Sequence, residues 1–555
     1  MSRGLLPCSI RRRGAASLLA AALAVPGAGC APDRGGGSGR NASAEIGRQP
    51  AANVHLHEKS SSALISWRQR GVRDKILLHL DAHADLDWLP DETIARIAAA
   101  QPAELADLEL DPYSQDEPVL DRFASTNFVY AAARLGIVRE MIWVVPDGAL
   151  REEASRRGLV LDVLLGRTQM VAEDEAGSFR DEGRRIRGTL LGIPLTVCEL
   201  DDLPDLAEPV LLDIDLDYFT VPSPLSTRVA ASPWTRPRSI VERLRRHGVQ
   251  SDLITLSLST MGGFVPPESR WLVRDLKRAL AAGAEPERPQ DALRSAAQSA
   301  DASGDARLAA GLYRQILPGD EDDPSLWYAL GRALQRSGEE NEGAKSLALA
   351  ERLDPLLARA DLFEGDRAWL DGSYEAALAL YERYLGRFPR DGFAAYAARK
   401  RAGCLARLNR TEAALGAFRE LIEVSPNHAQ TRAELGLLLR ECGDLAGAEE
   451  NLRAARRIMP ADASYAMALG GTYLMDGRVQ EAVVELEDAV ARRPYSVQVR
   501  TSLASALSSL GRFDEAAAHL SVALALHPQD PQLRSMAQAL RRRGVHIEVQ
   551  VGLSR

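Results

Sequence analysis

A glycine or asparagine returns every 34 residues through the second half of this 555-residue chain. Gly304, Gly338 and Gly372 keep that interval, and Asn409, Gly443, Gly477 and Gly511 keep it again after one step of 37. Pro426, Pro460, Pro494 and Pro528 run at the same period. A unit such as LGGTYLMDGRVQEAVVELEDAVARRP reads as a helix, a turn at the Gly or Asn, a second helix with small Ala residues, and a Pro-marked turn. A fixed period of this size leaves little choice of fold. Each unit cannot bury its apolar face alone, so neighbours must stack into a solenoid. Ala lets helices approach closely, and Gly or Asn tolerates the left-handed turn. Seven units fit between about 290 and 530, and RSMAQALRRRG follows as a capping helix.

The units resemble the tetratricopeptide repeat, including Trp327, Leu330-Gly331 and Ala344 in the early copy WYALGRALQRSGEENEGA. The resemblance implies an all-α solenoid over 290–545, with a groove for a peptide or protein ligand.

The first half is built differently. From about 51 to 285, short apolar runs alternate with helical stretches. KILLHLD, MIWVVPD, PVLLDIDLDYF and LITLSLS read as strands, while NFVYAAARLGI and WLVRDLKRALAAG read as helices. Such alternation predicts a three-layer α/β domain around a mostly parallel sheet. Hydrophobic residues make up 46% and charged residues 26%, which is ordinary for a globular chain. A net charge of −9 gives no sign of a nucleic-acid partner, which would favour a basic face.

Two of those strands end in acid. In ILLHLDAHADLDW, His79, Asp81, His83 and Asp85 fall at every second position, so an extended chain puts them on one face. In PVLLDIDLDYF, Asp213, Asp215 and Asp217 do the same. Ligands of open parallel sheets bind beyond the carboxyl ends of the strands. Packed carboxylates repel unless a cation neutralises them or their pKa values rise. Oxygen ligands with a few imidazoles suit Mn²⁺, Mg²⁺ or Fe²⁺, and five or more ligands can hold two ions that activate a water. His79 lies one strand step early and reads as a core histidine. Asn127 reads as a helix cap, with substrate orientation as the alternative.

Asp81-Ala82-His83-Ala84-Asp85 resembles the D-A-H-x-D motif of the arginase/agmatinase/deacetylase superfamily, and LLDIDLDYF resembles its second signature. With STNFVYAAARLG and MIWVVPD, residues 51–275 are similar to an arginase-like family that acts on arginine within peptides. The resemblance implies an arginase-like fold and two divalent ions, Mn²⁺ first, with Zn²⁺ or Fe²⁺ as alternatives. Asp81, His83 and Asp85 would be ligands, with Asp85 or Asp81 bridging and Asp85 relaying a proton. The second pair would be Asp215 and Asp217, or Asp213 and Asp215 after a shift of two. A further His precedes the first motif in the superfamily, and His57 sits at that distance. In the closer family, however, the His before A-L-x-x-W falls where this chain has Ser60, so His55 or His57 would have to substitute. Glu268 either pairs with a substrate guanidinium or serves as a first-turn acid after Pro266-Pro267.

The N-terminus reads as an export signal. Arg3 and Arg11–Arg13 are basic, Ala15–Val25 is apolar, and small residues lead into Cys30. The ending resembles a bacterial lipoprotein processing site, which implies lipidation at Cys30 and a membrane-anchored envelope protein. Simple secretion is the alternative. Residues 31–50 read as a linker. Cys198, Cys404 and Cys442 have no metal-ligand spacing and read as buried hydrophobes. The sequence thus points to an exported metal-dependent hydrolase that turns peptidyl arginine into ornithine. Two alternatives stand beside it: an envelope scaffold with a degenerate arginase-like domain, and a zinc deacetylase.

Overall fold

KILLHL and VLLDID are short, apolar and bounded by turn-forming residues, and they become neighbouring central strands of one sheet. The computed structural model describes residues 44–46, 53–110, 119–230, 232–282 and 288–548. The export signal, Cys30 and most of the linker lie outside the described residues. Ala44–Ile46 lies within the stretch expected to be linker, yet it is folded, with Ile46 buried.

Nine strands form a mixed sheet among the described residues: β1 (Ala44–Glu45), β2 (Val54–His57), β3 (Lys75–Leu80), β4 (Val138–Val144), β5 (Arg180–Asp181), β6 (Arg185–Leu190), β7 (Ile193–Cys198), β8 (Val210–Asp215) and β9 (Gln250–Ser257). Strands β2, β9, β8, β3, β4 and β7 run parallel in that order. β6 and β5 extend the β7 edge antiparallel, and β1 pairs antiparallel with β9. Successive side chains go to opposite faces. Leu77, Met141 and Trp143 pack against the helices Ser62–Gln69 and Phe128–Arg134. Leu78, Leu80, Ile142 and Ile214 pack against Pro237–Arg246 and Trp271–Ala282. All four strands read from the sequence are present; the β6–β7 hairpin is an addition. Its turn is Leu191-Gly192, both at positive φ (51° and 78°), a conformation in which Asn-Gly is the usual signal.

Beyond residue 288, the described residues form seven helical hairpins, from Pro289–Ala302 to Phe513–Leu526, and a last helix, Pro531–Arg542. The periodic turn residues take positive φ, from 57° at Asn409 to 90° at Gly338. Within the hairpins small residues set the spacing. A Cβ on Gly470 would meet Leu486 Cγ at 2.6 Å. Gly470→Ala is therefore expected to cost about 1–3 kcal/mol through overpacking. A urea midpoint equal to wild type would refute that account of the contact.

Among the described residues, the array and the sheet domain belong to one compact unit. Two seams join them. At the first, Arg270 bridges Glu58 and Asp354, Arg274 meets Asp322 at 2.8 Å, and Glu268 meets Arg367 at 3.1 Å. Gly263 (φ 85°) lies so close that a Cβ there would be 2.5 Å from Arg367 N. At the second, Met170 N donates to Arg492 O (2.7 Å), and His527 Nε2 lies 3.0 Å from Asp162 Oδ1. Leu526 is buried in the same cluster as Trp67 and Trp143. Cys198 and Cys404 are buried as expected, but Cys442 is exposed, because it stands at a helix end just before the Gly443 turn.

Candidate metal centre

The adjacent strands β3 and β8 run parallel, so their carboxyl ends, and the acids there, come out side by side. Asp81 is the first residue beyond β3, Asp215 is the last of β8, and Asp217 opens the short helix Asp217–Thr220. All three are at least 97% buried. The loop is held by its own backbone: His83 N donates to Asp81 Oδ1 (2.6 Å), Ala82 N to Asp217 Oδ1 (3.1 Å) and Asp217 N to Asp215 Oδ1 (2.9 Å). Ser259 Oγ donates to the other Asp215 oxygen. His83 Nδ1 lies 2.7 Å from Asp217 Oδ2, and its ring meets Phe264 edge-on at 4.6 Å. Asp85 takes φ 50°, in the left-handed region, which curls the motif back toward the sheet.

Among the described residues, two sets of side chains have ligand atoms within 4.8 Å of one another: His79, Asp81 and Asp85, and Asp81, His83 and Asp217. Asp81 belongs to both, the place a bridging carboxylate would take.

So many acids in a dry site do not ionise freely. Burial, then the neighbouring Asp81, pushes the Asp85 carboxyl well above its ordinary range. Burial, with Asp217 and Asp81 beside it, does the same to Asp215. Asp217 is pushed up to about 6 by burial and Asp81, against the pull of His83. Burial opposes the ionised form of Asp81 as well, but the imidazoles of His79 and His83 hold its carboxyl below the ordinary range. A bound cation would relieve the whole set at once. The donors fit such an ion: they are carboxylates and imidazoles, and one buried imidazole nitrogen, His79 Nε2, has no hydrogen-bond partner.

The other residues expected here lie elsewhere. Asp213 is in mid-strand, with Oδ2 2.9 Å from His79 Nδ1 and Oδ1 accepting from Thr255 Oγ1. His57 ends β2, two strands away from β3's neighbour, and its Nε2 meets Ser66 Oγ at 3.0 Å. Burial pushes His57 down to about 4. Ser60 is buried at the entrance to the helix Ser62–Gln69, outside both ligand sets. Glu268 does hold a guanidinium, but that of Arg367 in the first seam. Asn127 occupies the cap position of Phe128–Arg134, yet its Oδ1 accepts from Ala124 N (2.8 Å) instead of capping the helix.

Sequence reasoning passed over two features of the site. One is Glu109, which accepts from Ser61 and Ser62 (2.6 and 2.7 Å) and meets Lys59 at 2.8 Å, fixing the loop after His57. A lone Glu in ADLEL carries no motif. The other is a cavity of about 460 Å³ between the sheet domain and the array. Asp87, Trp88 and Asn127 line it on one side, and Arg399, Glu434 and Tyr465 on the other. Asp87 is two residues beyond Asp85. Burial pushes its carboxyl up to about 6, against Arg493 and Arg167.

Comparison with known proteins places the array. The family model described as tetratricopeptide repeat matches residues 362–429, 433–497 and 473–540. The peroxisomal targeting signal receptor of Candida albicans is 25% identical over 221 residues, which are 39% of this chain and 37% of that protein. The chain thus spans little more than a third of that relative. A thermophilic tetratricopeptide protein of Thermus thermophilus is 29% identical over 33% of this chain and 97% of its own, with a TM-score of 0.28. MamA of Desulfovibrio magneticus RS-1 is 21% identical, covering 31% of this chain and 97% of its own at a TM-score of 0.29. Residues 362–540 of this chain are tetratricopeptide repeats.

Proposed function

We propose that this chain is a divalent-metal-dependent hydrolase of carbon–nitrogen bonds that acts on arginine within peptides, with the repeats holding the peptide. The observation that carries the reading is the pair of ligand sets, each with two buried members and one half-buried, that share Asp81 at the ends of β3 and β8. Asp81, His83, Asp85 and Asp217 would hold the ions, with Asp215 beside them, and Mn²⁺ suits these donors. When bound, the ions would supply Lewis acidity toward a water and the substrate carbon.

The remaining work falls to the protein's own groups. Tetratricopeptide repeats are protein-binding surfaces, and here part of the array faces a cavity whose other wall continues from the Asp85 loop. Asp87, Glu434 and Asp462 line that cavity together with Arg167, Arg399 and Arg493, a polar, charge-mixed wall suited to a peptide. Asp85, at the edge of the first ligand set, would relay a proton to the leaving amine. Water adds to the guanidino carbon, that carbon's bond to Nε breaks, and ornithine and urea result. Arginine-containing peptides incubated with the Mn²⁺-loaded full chain should show this conversion by mass spectrometry, and free arginine should react poorly. Conversion of free arginine at the same rate would remove the repeats from the substrate account. Acetyl-lysine peptides losing acetate with Zn²⁺, while arginine peptides stay intact, would replace the reading with deacetylation.

A second reading, an envelope scaffold with a silent sheet domain, is favoured by Glu268, whose carboxylate is already engaged by Arg367. Metal bound without turnover of either peptide class would decide for it.

A further inference from the structure

His79 reads from the sequence as a core histidine, and by burial it is one: its side chain is wholly inaccessible. A satisfied core histidine uses both ring nitrogens, and this one uses a single nitrogen. Nδ1 meets Asp213 Oδ2 at 2.9 Å. Nε2 makes no hydrogen bond; it lies 3.3 Å from Asp81 Oδ2, and a ring nitrogen of His79 is within 4.8 Å of an Asp85 oxygen. A buried ring nitrogen that makes no hydrogen bond and faces an acid shared by both ligand sets calls for a reason.

The sheet register explains how the ring is aimed. His79, Asp213 and Thr255 are direct cross-strand neighbours on β3, β8 and β9. Side chains in register on parallel strands share a face, so the three form a row inside the sheet. Thr255 Oγ1 donates to Asp213 Oδ1, and Asp213 Oδ2 accepts from His79 Nδ1–H. That row keeps a proton on Nδ1, so when a cation displaces any proton on Nε2, that nitrogen is the one left to present a lone pair beside Asp81. A carboxylate on the far nitrogen of an imidazole is the usual support of a metal-bound histidine. Asp213 is thus better placed to orient His79 than to bind a metal itself.

We infer that His79 Nε2 is a ligand of the first divalent-cation site, with Asp81 and Asp85, and that Asp213 is its positioning residue. The inference rests on the metal reading above and goes beyond it, because it gives the imidazole position to β3. His57 lies in neither ligand set and has its own partner in Ser66.

The amide side chains separate the two nitrogens. His79→Asn keeps a donor near Nδ1 for Asp213 and removes Nε2, whereas His79→Gln puts its amide near Nε2. Purified full-length protein, stripped with chelator and dialysed against Mn²⁺ alone, should bind about two ions per chain in the wild type. His79→Asn should lose one of them. Asp213→Asn should keep both sites, with the first weakened about 10- to 100-fold. His57→Ala should keep both at wild-type affinity. Circular dichroism of each variant confirms that the fold persists, and His79→Leu, which has no ligand atom, provides the measurement if His79→Asn fails to fold. Two ions held at wild-type affinity by His79→Asn, or by His79→Leu in its place, would overturn the inference and leave the metal reading intact. Loss of an ion from His57→Ala would return the ligand to β2. A wild-type chain that binds no Mn²⁺ would defeat the metal reading itself.

Discussion

Asp215→Asn is expected to make the chelator-treated protein more stable than wild type and the Mn²⁺-treated protein less so. The sign follows from the direction of the shift. Asp215 has a folded-state pKa raised by burial and by Asp217 and Asp81. A raised carboxyl pKa means that the folded state binds the proton more tightly than the unfolded state does. Stability is therefore lost as pH rises from the ordinary carboxylate range toward the folded pKa. An amide carries no charge and escapes that loss, while its oxygen can still accept from Asp217 N. With metal the order reverses, because the charge is what attracts the ion. Free Mn²⁺ at 100 times its Kd should stabilise the wild type by about 2.7 kcal/mol, and the variant by much less. His83→Ala should likewise lose metal-dependent stabilisation, since it removes a donor from the set that contains Asp81 and Asp217. Thermal melts with EDTA and with Mn²⁺ measure both. Equal metal-induced shifts in wild type and both variants would sink the assignment.

Arg270→Ala should be among the most damaging single changes in the chain. The guanidinium is only 10% exposed and touches three elements at once. Nη1 reaches Glu58 at 2.9 Å and Thr260 Oγ1 at 2.6 Å, and Nη2 reaches Asp354 at 2.9 Å. Truncation would leave two carboxylates facing each other without a cation. Breaking a buried pair in this way costs about 3–5 kcal/mol. Arg512 offers the control, because its partner Glu515 is half exposed, and Arg512→Ala should leave the urea midpoint close to wild type. Similar urea midpoints for the two variants would show that the seam is weaker than its geometry implies. Arg270→Lys should recover only part of the loss, since one ammonium cannot serve partners on both sides as a planar fork does.

Much of the architecture could be read from the residues. The turn residues at 304, 338, 372, 409, 443, 477 and 511 are legible because local backbone sterics dictate them, and each takes positive φ. The central strands are legible for a similar reason: an apolar run ending in acid is a local pattern. What was hidden depends on distance along the chain. No local signal tells which of 68 basic residues will find which of 77 acids, so Arg270 with Asp354 and Glu268 with Arg367 could not be foreseen. The β6–β7 hairpin was hidden by chemistry instead: Leu191 occupies a turn position usually marked by Asn. At the site, period two put His79, Asp81, His83 and Asp85 on one face, but β3 ends at Leu80. The loop beyond it, curled by Asp85, brings those side chains together by a path that strand periodicity does not describe.

The two seams set a length as well as a position. Solenoids usually change size freely, since each unit touches only its neighbours and a duplicated or lost unit is absorbed at an end. Here the array is fastened near residues 322–367 and again near 492–527, both times to the same sheet domain. One extra hairpin between those points would carry the second fastening out of register with Asp162 and Met170. The number of hairpins between the fastenings is therefore held by closure, as the strand number of a barrel is.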